Sequence, residues 1–395
     1  MSKKISLGAT IGLIAIAIAL TVSITMTASS GIYNSLLKYL PEKVQTYSQL
    51  EEIGNVIKSN YYGNIDEESL EKAVANGYVN GLGDKYSKYM SADEYASYDA
   101  RNQGKMTGIG VTYTRSGNNI KITQVFDGSP AQISGLKKGD IIVAFDGEAI
   151  TKENYNEMIS KFEGDKLSTV NLTYKNKDTE RTISIAKGYE AQSVSAQADN
   201  QIGYIKITDF YSTTAKQVQT AVDKFVSQNA TGIILDLRDN SSTNFEAAIK
   251  VIDIFVPSLE GTDALATVVD AGGNTLSTYA SDAASVNLPI VVITNAGTLG
   301  GAELLACDLR NTGKATLVGE TTAGVGVMQK VFKLTNGGAL LLSVGEILPY
   351  KGESYNGTGV VPDYKVERKG DPKELKDDNV YTYAVSVFNN DTEGE

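Results

Sequence analysis

The chain has 395 residues, 42% of them hydrophobic, enough for two or three packed domains. Lys and Arg number 36 against 47 Asp and Glu, a net charge of −11, and such an acidic chain without a basic stripe lacks the clustered cations that bind phosphate backbones, so no nucleic acid is expected as a partner. There is no histidine and one cysteine, Cys307, which excludes Ser-His-Asp and Cys-His catalysis, His-ligated zinc and any intrachain disulfide. No metal and no cofactor is expected.

Lys3 and Lys4 precede an apolar run without charge from Ile5 to about Ala28. That length suits a bilayer-spanning helix, and the lysines favour a cytoplasmic N-terminus. The expectation is a stub at 1–4, a transmembrane anchor at 5–28 and a single-pass cell-membrane protein whose remaining domains are extracytoplasmic. The rival is a cleaved signal peptide and secretion, although signal h-regions are usually shorter. No cysteine follows the run, so a lipoprotein anchor is excluded.

Residues 29–45 read as a linker with Ser29, Ser30, Gly31 and Pro41, and 46–100 as a helical segment. Leu50, Ile53 and Ile57 form one apolar stripe, and Asp66 is an N-cap candidate. Residues 101–190 change to strand period: Ile109, Val111 and Tyr113 alternate, as do Ile120 and Ile122, with Gly117-Asn118-Asn119 as the turn between them. From 191 to 370 strands and helices alternate, with buried-type strands at Tyr204–Ile207, Gly232–Leu237 and Leu288–Thr294, which predicts a layered α/β core. Residues 371–395 read as a charged, frayed tail.

Gly108-Ile109-Gly110-Val111, then Gly128-Ser129-Pro130-Ala131, then Gly135-Leu136 with Gly139-Asp140-Ile141-Ile142, resemble a PDZ domain of the bacterial protease type. The flanks resemble one family, the carboxy-terminal processing (tail-specific) serine peptidases. The matching stretches are Gly83-Asp84-Lys85-Tyr86-Ser87-Lys88-Tyr89-Met90, Ile234-Leu235-Asp236-Leu237-Arg238-Asp239-Asn240, Val318-Gly319-Glu320-Thr321-Thr322-Ala323-Gly324 and Gly357-Thr358-Gly359-Val360-Val361-Pro362-Asp363. The resemblance runs from about residue 48 to 367 in family order. It implies a layered βα peptidase-type core of the ClpP/crotonase kind with an inserted, mostly-β PDZ domain.

The resemblance also implies a serine nucleophile, a lysine general base, a glutamine that orients the lysine, and a backbone oxyanion hole. The nucleophile run is Asn295-Ala296-Gly297-Thr298-Leu299-Gly300-Gly301-Ala302-Glu303, which puts Gly300 at the serine position. The lysine position, 25 residues on, is Val325, and four further on stands Gln329. The Pro-Gly-Gly of the family's oxyanion loop is replaced by Ser241-Ser242-Thr243. Glycine has no nucleophile and valine accepts no proton, so the expectation is a pseudopeptidase. It would bind C-terminal segments of envelope or secreted proteins through Gly108, Ile109, Gly110 and Val111, as scaffold, decoy or regulator. The resemblance further implies a homodimer through the helical and C-terminal segments. Two other readings stand beside it: an active serine-type endopeptidase rebuilt on Thr298 or Ser242, and a structural envelope protein with a closed groove. Lys330 adjoins Gln329 but alternation turns it to the opposite face, Cys307 reads as core, and Arg238 and Gln329 as structural contacts.

Overall fold

The computed structural model describes residue 21 and residues 47–163, 168–177, 179–257, 264–281, 286–372 and 374–390. The stub, the linker and, apart from Thr21, the anchor at 5–28 lie outside these; among the described residues no helix is long and apolar enough to cross a membrane. The chain divides into two compact units, Met1–Ala75 and Asn76–Glu395. In the first, helix α1 spans 47–60 with Leu50 and Ile53 exposed, and helix α2 (Glu67–Asn80), whose last residues belong to the second unit, follows Asp66. The Asp66 carboxylate accepts from the Ser69 backbone N–H at 3.2 Å, as an N-cap does.

In the second unit β1 (Lys88–Met90) precedes α3 (Ala92–Asn102) and β2 (Lys105–Met106). The helical pattern expected up to Tyr98 is interrupted at β1, because Met90 packs with Ala339 and Leu341 and its strand pairs with theirs. Helix α3 then starts at a capping box, with the Ser91 N–H donating to Glu94 and the Glu94 N–H to the Ser91 hydroxyl.

The next stretch is the β-rich domain expected from the glycine motifs: β3 (Val111–Ser116), β4 (Asn119–Val125), α4 (Pro130–Ile133), β5 (Ile141–Phe145), β6 (Glu148–Ala149), α5 (Tyr155–Glu163), β7 (Ser168–Asn176), β8 (Thr179–Lys187) and β9 (Tyr189–Glu190). Its antiparallel sheet runs β3-β4-β5-β7-β8, so β3 is an edge. Ile120, Ile122, Ile142, Met158 and Leu172 form a core of its own.

The remaining chain gives β10 (Val194–Asp199), β11 (Ile202–Ile207), α6 (Thr214–Ser227), β12 (Gly232–Asp236), α7 (Phe245–Phe255), β13 (Ala266–Val269), β14 (Thr275–Tyr279), β15 (Ile290–Thr294), α8 (Gly301–Asn311), β16 (Ala315–Gly319), β17 (Val327–Lys333), β18 (Ala339–Pro349), β19 (Tyr364–Lys365) and α9 (Asn379–Asn390). One sheet runs β10-β11-β12-β15-β16-β19, parallel from β11 onward. Period-2 alternation splits its side chains. Ile233, Leu235, Ile290 and Val292 join the core of α6, α7 and α8, while Ile234, Val291 and Ile293 meet α9. A second, antiparallel sheet of β1, β18, β13 and β14, with β17 on β18, contributes Val268, Met328 and Ile347 to the α7–α8 side.

The tail expected to fray is corrected by α9. Val380, Tyr381, Ala384 and Val387 are buried against the parallel sheet at helical spacing, and burying each large apolar side chain is worth about 1.5–3 kcal/mol. The charges that suggested fraying lie before the helix and after it. Residues 391–395 lie outside the described residues.

Candidate functional site

Strand β15 delivers the chain into a tight turn, and Gly300 caps α8 with φ 64 and ψ −118. L side chains rarely adopt that conformation, and glycine takes it at no steric cost. A Cβ on Gly300 would lie 2.5 Å from the Ser242 carbonyl oxygen and 3.3 Å from the Thr243 Cα. The same Ser242 oxygen accepts from the Gly301 N–H at 2.9 Å. The Ser241-Ser242-Thr243 loop therefore rests on the α8 turn and directs the Ser242 carbonyl toward it.

Glu303 ties this turn to the segment carrying Val325. It is fully buried, and its carboxylate accepts from the backbone N–H groups of Gly300 at 2.9 Å, Gly324 at 2.6 Å and Val325 at 2.7 Å, and from the Thr322 hydroxyl. These donors satisfy a buried carboxylate without a cation. The sequence signal for this role is an acidic residue in an otherwise apolar helix start, a position that needs donors when buried. Val325 is itself buried.

Gln329 directs its amide to the chain backbone. Its amide donates to the Tyr86 carbonyl at 2.8 Å and fastens β17 to the segment before β1. Lys330 is exposed beside the Phe332 ring, in keeping with the expected alternation. Thr298 is fully buried, and its hydroxyl donates to the Leu237 carbonyl at 2.9 Å while accepting from the Asn295 N–H at 3.0 Å. It is committed to the turn. Cys307 is buried on α8, and burial together with the nearby Asp308 charge pushes its thiol up to about 11, so the thiolate is disfavoured. A cavity of about 600 Å³ opens beside Thr243, Phe245, Val268, Met328 and Gln329, but neither Gly300 nor Val325 is in its wall.

Arg238 does what the sequence suggests for structural reasons. It pairs with Asp236 at 2.6 Å and with Asp378 at 2.8 Å, and all three are buried. Burial opposes the Asp378 charge, but the hydrogen bond and attraction from Arg238 outweigh it and hold this carboxyl below its ordinary value. Asp378 also accepts from the Val380 and Tyr381 N–H groups at the start of α9.

The other candidate site lies at the start of β3. Gly108 and Gly110 have φ of 69 and 81, and a Cβ on Gly110 would lie 2.2 Å from the Ser129 Cβ. The Gly108, Ile109 and Gly110 carbonyls are engaged by Gly188, Ala131 and Phe126 N–H groups respectively. The N–H groups of Ile109 and Gly110 donate to no protein acceptor among the described residues, although both residues are buried. Buried amides without partners are rare, and paired amides at a glycine turn form an anion-binding nest. Among the described residues no strand pairs with the outer edge of β3, and Val111, Tyr113, Tyr155 and Ile159 are half-buried on the domain core.

The α/β core and the β domain each match a known family. Residues 201–366 match Peptidase family S41 and residues 107–186 match the PDZ domain. The chain is 30% identical over 359 residues to carboxy-terminal processing protease CtpA of Bacillus subtilis (strain 168), covering 90% of this chain and 76% of that protein. It is 27% identical over 353 residues to a probable CtpA-like serine protease of Staphylococcus haemolyticus (strain JCSC1435), covering 88% and 70%. A solved structure of a putative S41 protease from Bacteroides fragilis NCTC 9343 shares the fold, with a TM-score of 0.51 at 21% identity over 84% of this chain and 91% of that one. The chain belongs to peptidase family S41, among the CtpA-like carboxy-terminal processing proteases that carry a PDZ domain.

Proposed function

We propose that this chain is a non-cleaving member of its family, a pseudopeptidase that binds protein C-termini through its PDZ domain and acts as scaffold or regulator. The observation that carries the reading is the Ser242 carbonyl, which stands 2.5 Å from the place a Gly300 side chain would begin and takes the Gly301 N–H at 2.9 Å. A hydrolase of this kind needs a hydroxyl, a base in contact with it and free amides for the oxyanion. At this turn the side chain is absent, Val325 is aliphatic and the amide is taken. Peptide binding is supported by the two unpartnered amides at Ile109 and Gly110 beside an open sheet edge, the arrangement by which an extended chain end adds a strand. The apolar run at 5–28 would hold the protein at the membrane with these domains outside.

Casein hydrolysis and fluorophosphonate labelling of the purified full chain test the catalytic half. Neither is expected. Turnover or labelling that disappears in Ser242→Ala or Thr298→Ala would overturn it in favour of a rebuilt endopeptidase.

A further inference from the structure

Resting on the peptide-binding reading, the next question is which chain ends the groove prefers. Antiparallel pairing fixes the register. A terminal carboxylate on the Ile109 and Gly110 amides sets the last residue beside Val111. Two-residue steps then set the third-last beside Tyr113 and the fifth-last beside Arg115, about 13 Å along the strand at the rise of an antiparallel ladder. The irregularity between β3 and β4 does not disturb this: the pairing passes from Thr112↔Gln124 to Tyr113↔Ile122, so the extra residue, Thr123, is on β4. The outer edge of β3 is regular.

Val111, Tyr113 and Arg115 lie two apart on one face, the face toward α5. Val111 and Tyr113 pack on the domain core there, together with Tyr155 and Ile159 of α5. Arg115 follows them at the far end, its guanidinium 4.2 Å from the centre of the Tyr155 ring and its Nε donating to the Gly117 carbonyl at 3.0 Å. The side chain is exposed yet held by two contacts, so its position is set before a ligand arrives. No carboxylate pairs with it among the described residues. The groove is thus apolar for its first two inward-facing ligand positions and cationic at the third.

We propose that the β3–α5 groove selects chain ends with an apolar last residue and a Glu or Asp four places before it, the acidic side chain being read by Arg115 stacked on Tyr155. Charge complementarity decides the occupant: an extended peptide with one carboxylate at its end and a second about 13 Å upstream.

The test is fluorescence anisotropy of the full chain with a labelled decapeptide ending Glu-Ser-Ala-Ala-Val and its analogues with Gln or Lys in place of Glu. At low salt the Glu peptide should bind about 2- to 5-fold tighter than the Gln peptide, the size expected of an exposed charge contact, and the Lys peptide weakest. Arg115→Gln should lose the preference while still binding the Gln peptide, and Arg115→Glu should favour Lys over Glu. Equal affinities for all three peptides, or an unchanged order in Arg115→Glu, would overturn the selectivity and leave the PDZ reading standing. No binding by any of them, or equal binding of a C-terminally amidated peptide, would overturn both.

Discussion

The α8 turn and the β3 turn use the same device. Each brackets its turn with glycines, Gly300-Gly301 in one and Gly108-Ile109-Gly110 in the other, and each has glycine at positive φ that turns backbone N–H groups to one side. At α8 the protein consumes those donors itself: Gly301 N–H goes to the Ser242 carbonyl and Gly300 N–H to Glu303. At β3 the Ile109 and Gly110 amides find no acceptor among the described residues, and no described strand pairs with the outer edge of β3. A glycine turn is therefore not by itself a site; what decides is whether the chain supplies its own acceptor.

The contrast can be broken most severely at Glu303. Glu303→Ala orphans three amides and a hydroxyl in the interior, and an expected loss of about 3–5 kcal/mol in urea unfolding follows from the cost of unmade hydrogen bonds to a charged group. A loss below about 1 kcal/mol, the scale of a single ordinary hydrogen bond, would mean that the turn is not held as described. Asp378→Ala should cost less, about 2–3 kcal/mol, through Arg238 and the start of α9. Because the folded carboxyl lies below its ordinary value of 3.8, its contribution is complete above that pH and fades as pH falls through the folded value. The gap between wild type and variant should close in acid, and a gap that persists there would exclude the ion pair as its source. The smallest effect sharpens the comparison. Gly300→Ser combined with Val325→Lys should yield no turnover, since the Ser242 carbonyl still occupies the space and the Gly301 amide. Activity from this double variant alone would show that the loop yields readily.

Much of this was legible from residues. The strands at Tyr204–Ile207 and Gly232–Leu237 were recognisable as continuous apolar runs, and the PDZ glycines by their order. Helix α9 was hidden because Val380, Tyr381, Ala384 and Val387 lie between charged stretches, and only the sheet they cover makes their spacing meaningful. Strand β13 is only four residues long and β14 exposes Leu276 among polar residues, so neither carries a periodic signal strong enough to stand alone. At the α8 turn, spacing marks Gly300 and Val325 as the positions where the family resemblance implies Ser and Lys. The carbonyl that fills the space was not readable from it, because backbone orientation at Ser242 depends on contacts with a turn nearly sixty residues away. Gln329 kept its place in the motif, but its partner, the Tyr86 carbonyl, is remote in sequence.

The proposed function is that one turn binds chain ends and the other does no peptide chemistry. It is tested most directly by incubating the full chain with a peptide that ends in an apolar residue, measuring saturation by anisotropy and the peptide's mass afterwards. The account predicts saturable binding that requires the free carboxylate, with the peptide recovered intact. Recovery of cleaved fragments, at a rate abolished by Ser242→Ala or Thr298→Ala, would contradict it.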